Sequence, residues 1–177
     1  MTKSKGLSLS AVAIIAISVL ASNVLHGADI QRIELHQLES AQVKHQRRVG
    51  NIRTQAQAQG WIVRVPQTYI YLSDYSAVFH MDGYQRGFER QLNARISSSR
   101  AERSVIDLDR LLENVETPET LQPFNLEDLP PADLYVVFYS RPDCDRCDQV
   151  ESEIETWLNS MQSVSVVWLN VAMDRVL

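Results

Sequence analysis

The sequence is sparing with several residue types, and each scarcity narrows its reading. Only two cysteines occur in 177 residues, Cys144 and Cys147. One pair cannot supply the disulfide framework that holds small secreted domains together. The four histidines, His26, His36, His45 and His80, lie far upstream of the cysteines and outside ligand spacing, so no four-ligand zinc site is spelled out. Positive charge is not in excess: 17 Lys and Arg stand against 22 Asp and Glu, a net charge of −5. That balance argues against nucleic acid as a partner. The arginines from Arg86 to Arg103 read as a solvated helix face. All six prolines precede Cys144, and neither internal repeats nor low-complexity tracts are present. No cofactor is indicated.

What is present is ordinary globular composition, 45% hydrophobic and 22% charged. The N-terminus departs from it. Lys3 and Lys5 precede an uncharged run from Gly6 to Leu25, most apolar at "AVAIIAISVLA", Ala11–Ala21. A basic start and a short apolar segment form the pattern of a secretory signal peptide, with Val19-Leu20-Ala21 as cleavage site. The run is also about long enough for an uncleaved anchor through residues 7–25, since a span takes roughly 20 residues. Either way the expected location is periplasmic or extracytoplasmic, soluble after cleavage or tethered to the inner membrane. Disulfides persist there.

Five regions are expected: a signal peptide or anchor over 1–27, a helical segment over 28–60, a small α+β region over 61–115, a proline-rich acidic linker over 116–133, and an α/β unit over 134–177. Apolar residues between Ala28 and Gln59 recur at near-helical spacing, broken by His45 and Arg48. "WIVRVPQTYIYL" is rich in β-branched and aromatic residues, and Pro66 inside it suggests two short strands or an edge strand. Tyr84, Phe88, Leu92 and Ile96 form one face of a helix. Ser99 and Glu102 read as a capping box opening another, with Val105, Leu108, Leu112 and Val115 on one face. Pro118, Pro123, Pro130 and Pro131 among acidic residues mark the main boundary. "DLYVVFYS" then reads as a strand buried on both faces. Val150, Ile154, Trp157, Leu158 and Met161 mark an amphipathic helix, and "SVSVVWLNVA" a second buried strand. A right-handed βαβ unit accommodates that order. Tyr69, Tyr71, Tyr75 and Tyr84, and the three tryptophans, read as packing residues.

The cysteine pair lies between that strand and helix, in "FYSRPDCDRCDQV". As a staple it closes almost no loop, and loop closure is where a disulfide gains most of its stabilisation. A lone pair can hold a soft ion such as Cu(I), or complete a metal site between two chains. Redox chemistry suits the spacing best. Cys144 near a helix N-terminus gains thiolate stabilisation from free N–H groups and the dipole. It is the expected nucleophile, and Cys147 the thiol that resolves the mixed disulfide. Charges from Arg141 to Asp148 sum to −1, which points to a pair toward the reducing end. A Cys144 pKa below about 5 contradicts that.

Leu134 to about Asp174 resembles the thioredoxin-like family: an apolar strand ending in "VVFYS", a turn, CxxC, a helix, then "VVWLNVAMD". The resemblance implies Cys144 as nucleophile, Cys147 as resolving cysteine, and protein thiols and disulfides of the envelope as partners. The turn "RPD" replaces the commoner version with tryptophan. The family continues with a helix, a hairpin and a cis-proline facing the cysteines, and no proline follows Cys147 here. The expected fold is therefore α/β, a helix-rich N-terminal region followed by an incomplete thioredoxin-like βαβ unit. Truncation or degeneracy is expected over a rearranged connectivity in which 61–115 supplies the missing layers. The layout is also similar to thioredoxin-like accessory proteins of conjugative elements and type IV secretion systems. The alternative is a non-enzymatic envelope assembly protein whose CxxC is vestigial or structural.

Overall fold

The computed structural model describes residues 27–37, 65–98, 101–102, 104–142 and 144–173. They form one mixed α/β layer structure around a six-stranded sheet. In chain order the elements are β1 (Asp29–Gln37), β2 (Gln67–Leu72), β3 (Ala77–Asp82), α1 (Phe88–Ser98), α2 (Leu108–Leu112) and β4 (Val115–Glu116). A 3-10 turn (Leu126–Asp128), β5 (Leu134–Ser140), α3 (Cys147–Asn159) and β6 (Ser165–Ala172) follow. Across the sheet the order is β3-β2-β5-β6-β1-β4.

The βαβ unit forms as its sequence implies. β5 and β6 pair in parallel, Leu134 opposite Val166 through Ser140 opposite Ala172. From Leu134 to Tyr139 every β5 residue is buried, because helices cover one face and an irregular layer the other. α3 turns Val150, Ile154, Trp157 and Leu158 into the core.

The β5–β6 pair is flanked on both sides within the chain. β5 and β6 are the two central strands. β2 pairs antiparallel with β5, and β1 pairs in parallel with β6. Both flanking strands come from upstream in the chain, β2 from the 61–115 region and β1 from the 28–60 region. Strands from before and after residues 116–133 share the one sheet. Phe124 and Leu129 of that stretch are buried, and Tyr135 donates its hydroxyl to the Pro130 carbonyl.

Three expectations change. Asp29–Gln37 is a strand, not a helix. Ile33 and Leu35 face one side of the sheet, and Arg32 on the other side spans α3, bonding Glu151 at 2.7 Å and Glu155. The rest of the expected helix, 38–60, lies outside the described residues. β2 is interior, not an edge strand: Pro66 immediately precedes it and removes no ladder hydrogen bond. No helix opens on the Ser99–Glu102 pair; Ser99 lies outside the described residues, and the helix there starts only at Leu108. Glu102 is otherwise engaged, its N–H on the Ala77 carbonyl and its carboxylate on Arg95 and Ser104.

One face of the sheet carries α1 and α3 over Ile70, Val136, Phe138 and Trp168. The other carries α2, Phe124 and Leu129 over Tyr71, Tyr135, Val137 and Leu169. Tyr69, Tyr71, Trp157 and Trp168 are core residues, as expected. Among the described residues no helix is long and apolar enough to cross a membrane. The apolar N-terminal run and Trp61 lie outside them.

Candidate functional site

β5 ends at Ser140, and a tight turn leads into α3. The Cys144 N–H donates to the Arg141 carbonyl and the Cys147 N–H to the Cys144 carbonyl, both at 3.1 Å. This winding brings the two cysteines together as a disulfide, with S–S 2.06 Å and Cα–Cα 5.4 Å. The pair expected from sequence is therefore bonded, and it is asymmetric. Cys144 is half-buried, whereas Cys147 is only 4% exposed and belongs to the core cluster that contains Phe138, Val150 and Ile154.

α3 starts at Cys147, so Cys144 sits one turn ahead of the helix and not within it. The side chain at the N-cap position, Arg146, makes no capping hydrogen bond. The free N–H groups of α3 and the positive end of its dipole are left for a sulfur anion. Asp145, Arg146 and Asp148 are exposed to solvent, where their charges are screened. Asp143 lies outside the described residues.

A second segment reaches the same end of the sheet. Gln67 pairs with Tyr139, so Pro66 stands level with Ser140. The Val65–Pro66 bond is cis. The Pro66 carbonyl accepts from the Gly83 N–H at 2.8 Å, and Gly83 has φ +73°, a conformation that favours glycine. Tyr84, next along, hydrogen-bonds the Glu153 carboxylate on α3; that bond, above all, raises the phenol pKa. The loop after β3 is thus tied both to Pro66 and to the helix behind the cysteines.

On the opposite face, Gln67 Oε1 accepts from the Tyr69 hydroxyl at 2.6 Å and pairs with His80 Nε2 at 3.2 Å. Tyr69 and His80 stack with centroids 4.4 Å apart. Burial raises the Tyr69 and Tyr139 phenols far above their ordinary range and lowers His80, which Asp82 only partly opposes. The cluster is neutral near pH 7 and supplies no charge to the cysteines.

Among the described residues no three His, Cys, Asp or Glu are grouped to hold a metal ion. His36 and His80 are both far in sequence from the pair; His26 and His45 lie outside the described residues. Sequence reasoning located Cys144 and Cys147 but missed Pro66 and the Gly83–Tyr84 loop, which only the β2–β5 pairing brings to this end. Compared with family models, with curated proteins and with solved structures, the chain matches none.

Proposed function

We propose that the protein exchanges thiols and disulfides with other proteins through Cys144 and Cys147. One observation carries this reading: the pair is bonded across a strand-to-helix turn, with Cys144 half-buried and Cys147 buried. A partner thiolate attacks Cys144, a mixed disulfide forms, and Cys147 leaves as thiolate; the reverse sequence reduces a partner disulfide. The N-terminal end of α3 favours the sulfur anion in both directions.

The surroundings support a thioredoxin-like reading with permuted connectivity. A hairpin, β2–β3, lies antiparallel beside β5, and a proline stands ahead of it at the level of Ser140. In the family these elements follow the CxxC unit; here they precede it. The basic, then apolar, N-terminal segment supports export, which makes envelope proteins the partners.

The test is reduction of a protein disulfide and oxidation of a dithiol peptide, by the wild type and by the Cys144→Ala, Cys147→Ala double variant. Exchange by the wild type alone is expected. Loss of the cysteines without loss of the cellular role favours an assembly protein instead.

A further inference from the structure

Thr68 is the second residue of the interior strand β2, fully buried, and its hydroxyl has no hydrogen-bond partner among the described residues. A buried hydroxyl without a partner is costly and calls for an explanation. Thr68 stands directly opposite Phe138 on one side and Met81 on the other. Residues paired in this way share a face of the sheet, so Thr68 faces the same layer as both. That layer contains Phe138, Met81 and Cys147. In a parallel crossover the helix runs back along the strands, which sets the first turn of α3 over the C-terminal end of β5. Phe138 is two residues from that end, and Cys147 opens α3. The indole N–H of Trp168 is also buried without a partner, but Trp168 pairs with Val136, one step further from the cysteines on the same face.

We infer that the Thr68 hydroxyl is the hydrogen-bond donor for the Cys147 sulfur when the disulfide opens. The inference rests on the exchange activity proposed above. In the disulfide the Cys147 sulfur is neutral and a poor acceptor. When the thiolate of a partner dithiol attacks Cys144, an S–S bond forms between partner and Cys144, and the Cys144–Cys147 bond breaks. Its electron pair stays on Cys147, as a thiolate in an apolar pocket. Thr68 donates a hydrogen bond to that anion without giving up its proton. The proton that neutralises Cys147 comes from the partner's second thiol; the resulting thiolate attacks the partner sulfur of the mixed disulfide, the bond to Cys144 breaks with its electron pair left on Cys144 as thiolate, and the oxidised partner is released. Thr68 thus stabilises the reduced protein and the anion in the exchange step, and contributes nothing to the oxidised one.

Thr68→Val and Thr68→Ser separate this from a structural role. Valine keeps the shape and the β-branch. The oxidised Val variant is expected to be at least as stable as wild type in urea, because an unpaired hydroxyl is gone. Its equilibrium with a thiol buffer is expected to move about fivefold toward the disulfide, equal to about 20 mV toward more reducing potential. Its Cys147 thiol is expected to titrate higher, and the Ser variant to track wild type in both. An unchanged potential and thiol titration in Thr68→Val overturns the inference while the exchange reading stands. A wild-type pair that does not exchange at all overturns both. If the Val variant fails to fold, the hydroxyl proton decides: slow solvent exchange by NMR is expected in reduced wild type, and equally fast exchange in both redox states contradicts the inference.

Discussion

Solvent reaches Cys144 and hardly reaches Cys147, so the two thiols are expected to react unequally once reduced. Cys147→Ser leaves the reachable sulfur and removes the resolving one. It is expected to accumulate mixed disulfides with a peptide disulfide, seen as a mass increase on the intact protein. Cys144→Ser is expected to accumulate far fewer, and equal trapping by both contradicts the assigned roles. His80 gives a pH dependence of separate origin. Burial lowers its pKa from the ordinary 6.5, with Asp82 opposing, so the folded chain takes up this proton less readily than the unfolded one. Stability from this group is therefore intact above about pH 6.5, and is lost as pH falls from there toward the lower folded pKa. His80→Phe keeps a ring against Tyr69 and removes the titration. Urea unfolding at about pH 7.5 and about pH 5.5 is expected to show a smaller pH penalty in that variant than in wild type.

At the scale of elements, β1 is held to α3 by Arg32, which bonds two carboxylates and lies 4.6 Å over the Trp168 ring. These partners are partly exposed, so the contribution is modest. Arg32→Ala is expected to cost about 1 kcal/mol in urea unfolding, with coupling to Glu155→Gln in a double-mutant cycle. No coupling between the two contradicts a working ion pair. β1 also explains what the sequence concealed. Arg32, Glu34 and His36 alternate with Ile33 and Leu35, but the charged side is covered by a helix 119 residues away, and a nine-residue strand read as a broken helix period. β5, α1, α3 and β6 were legible because each carries an uninterrupted apolar period matched to its layer. The acidic, proline-rich stretch read as linker because its buried anchors, Phe124 and Leu129, are single residues without a period.

At the scale of the molecule, the cysteine-bearing strand is central only because chain from both upstream regions flanks it. Hydrogen exchange is expected to be slowest in β5 and β6 and faster along β3, which among the described residues has a neighbour on one side only. A fragment of residues 116–177 leaves both flanks of the β5–β6 pair unpaired and is expected to aggregate rather than fold. A monomeric, folded fragment contradicts that dependence. The cysteine motif was legible in sequence because its spacing is local. Its setting was not, because strand order is decided by pairings between residues about 60 to 140 positions apart.

The most direct test of the account is the redox equilibrium of the Cys144–Cys147 pair against graded thiol buffers, read by mass after quenching. A single reversible two-electron transition within roughly −120 to −270 mV is expected, the range of exchange enzymes. A pair that stays oxidised below about −300 mV, as structural disulfides do, or that never forms the bond, contradicts it.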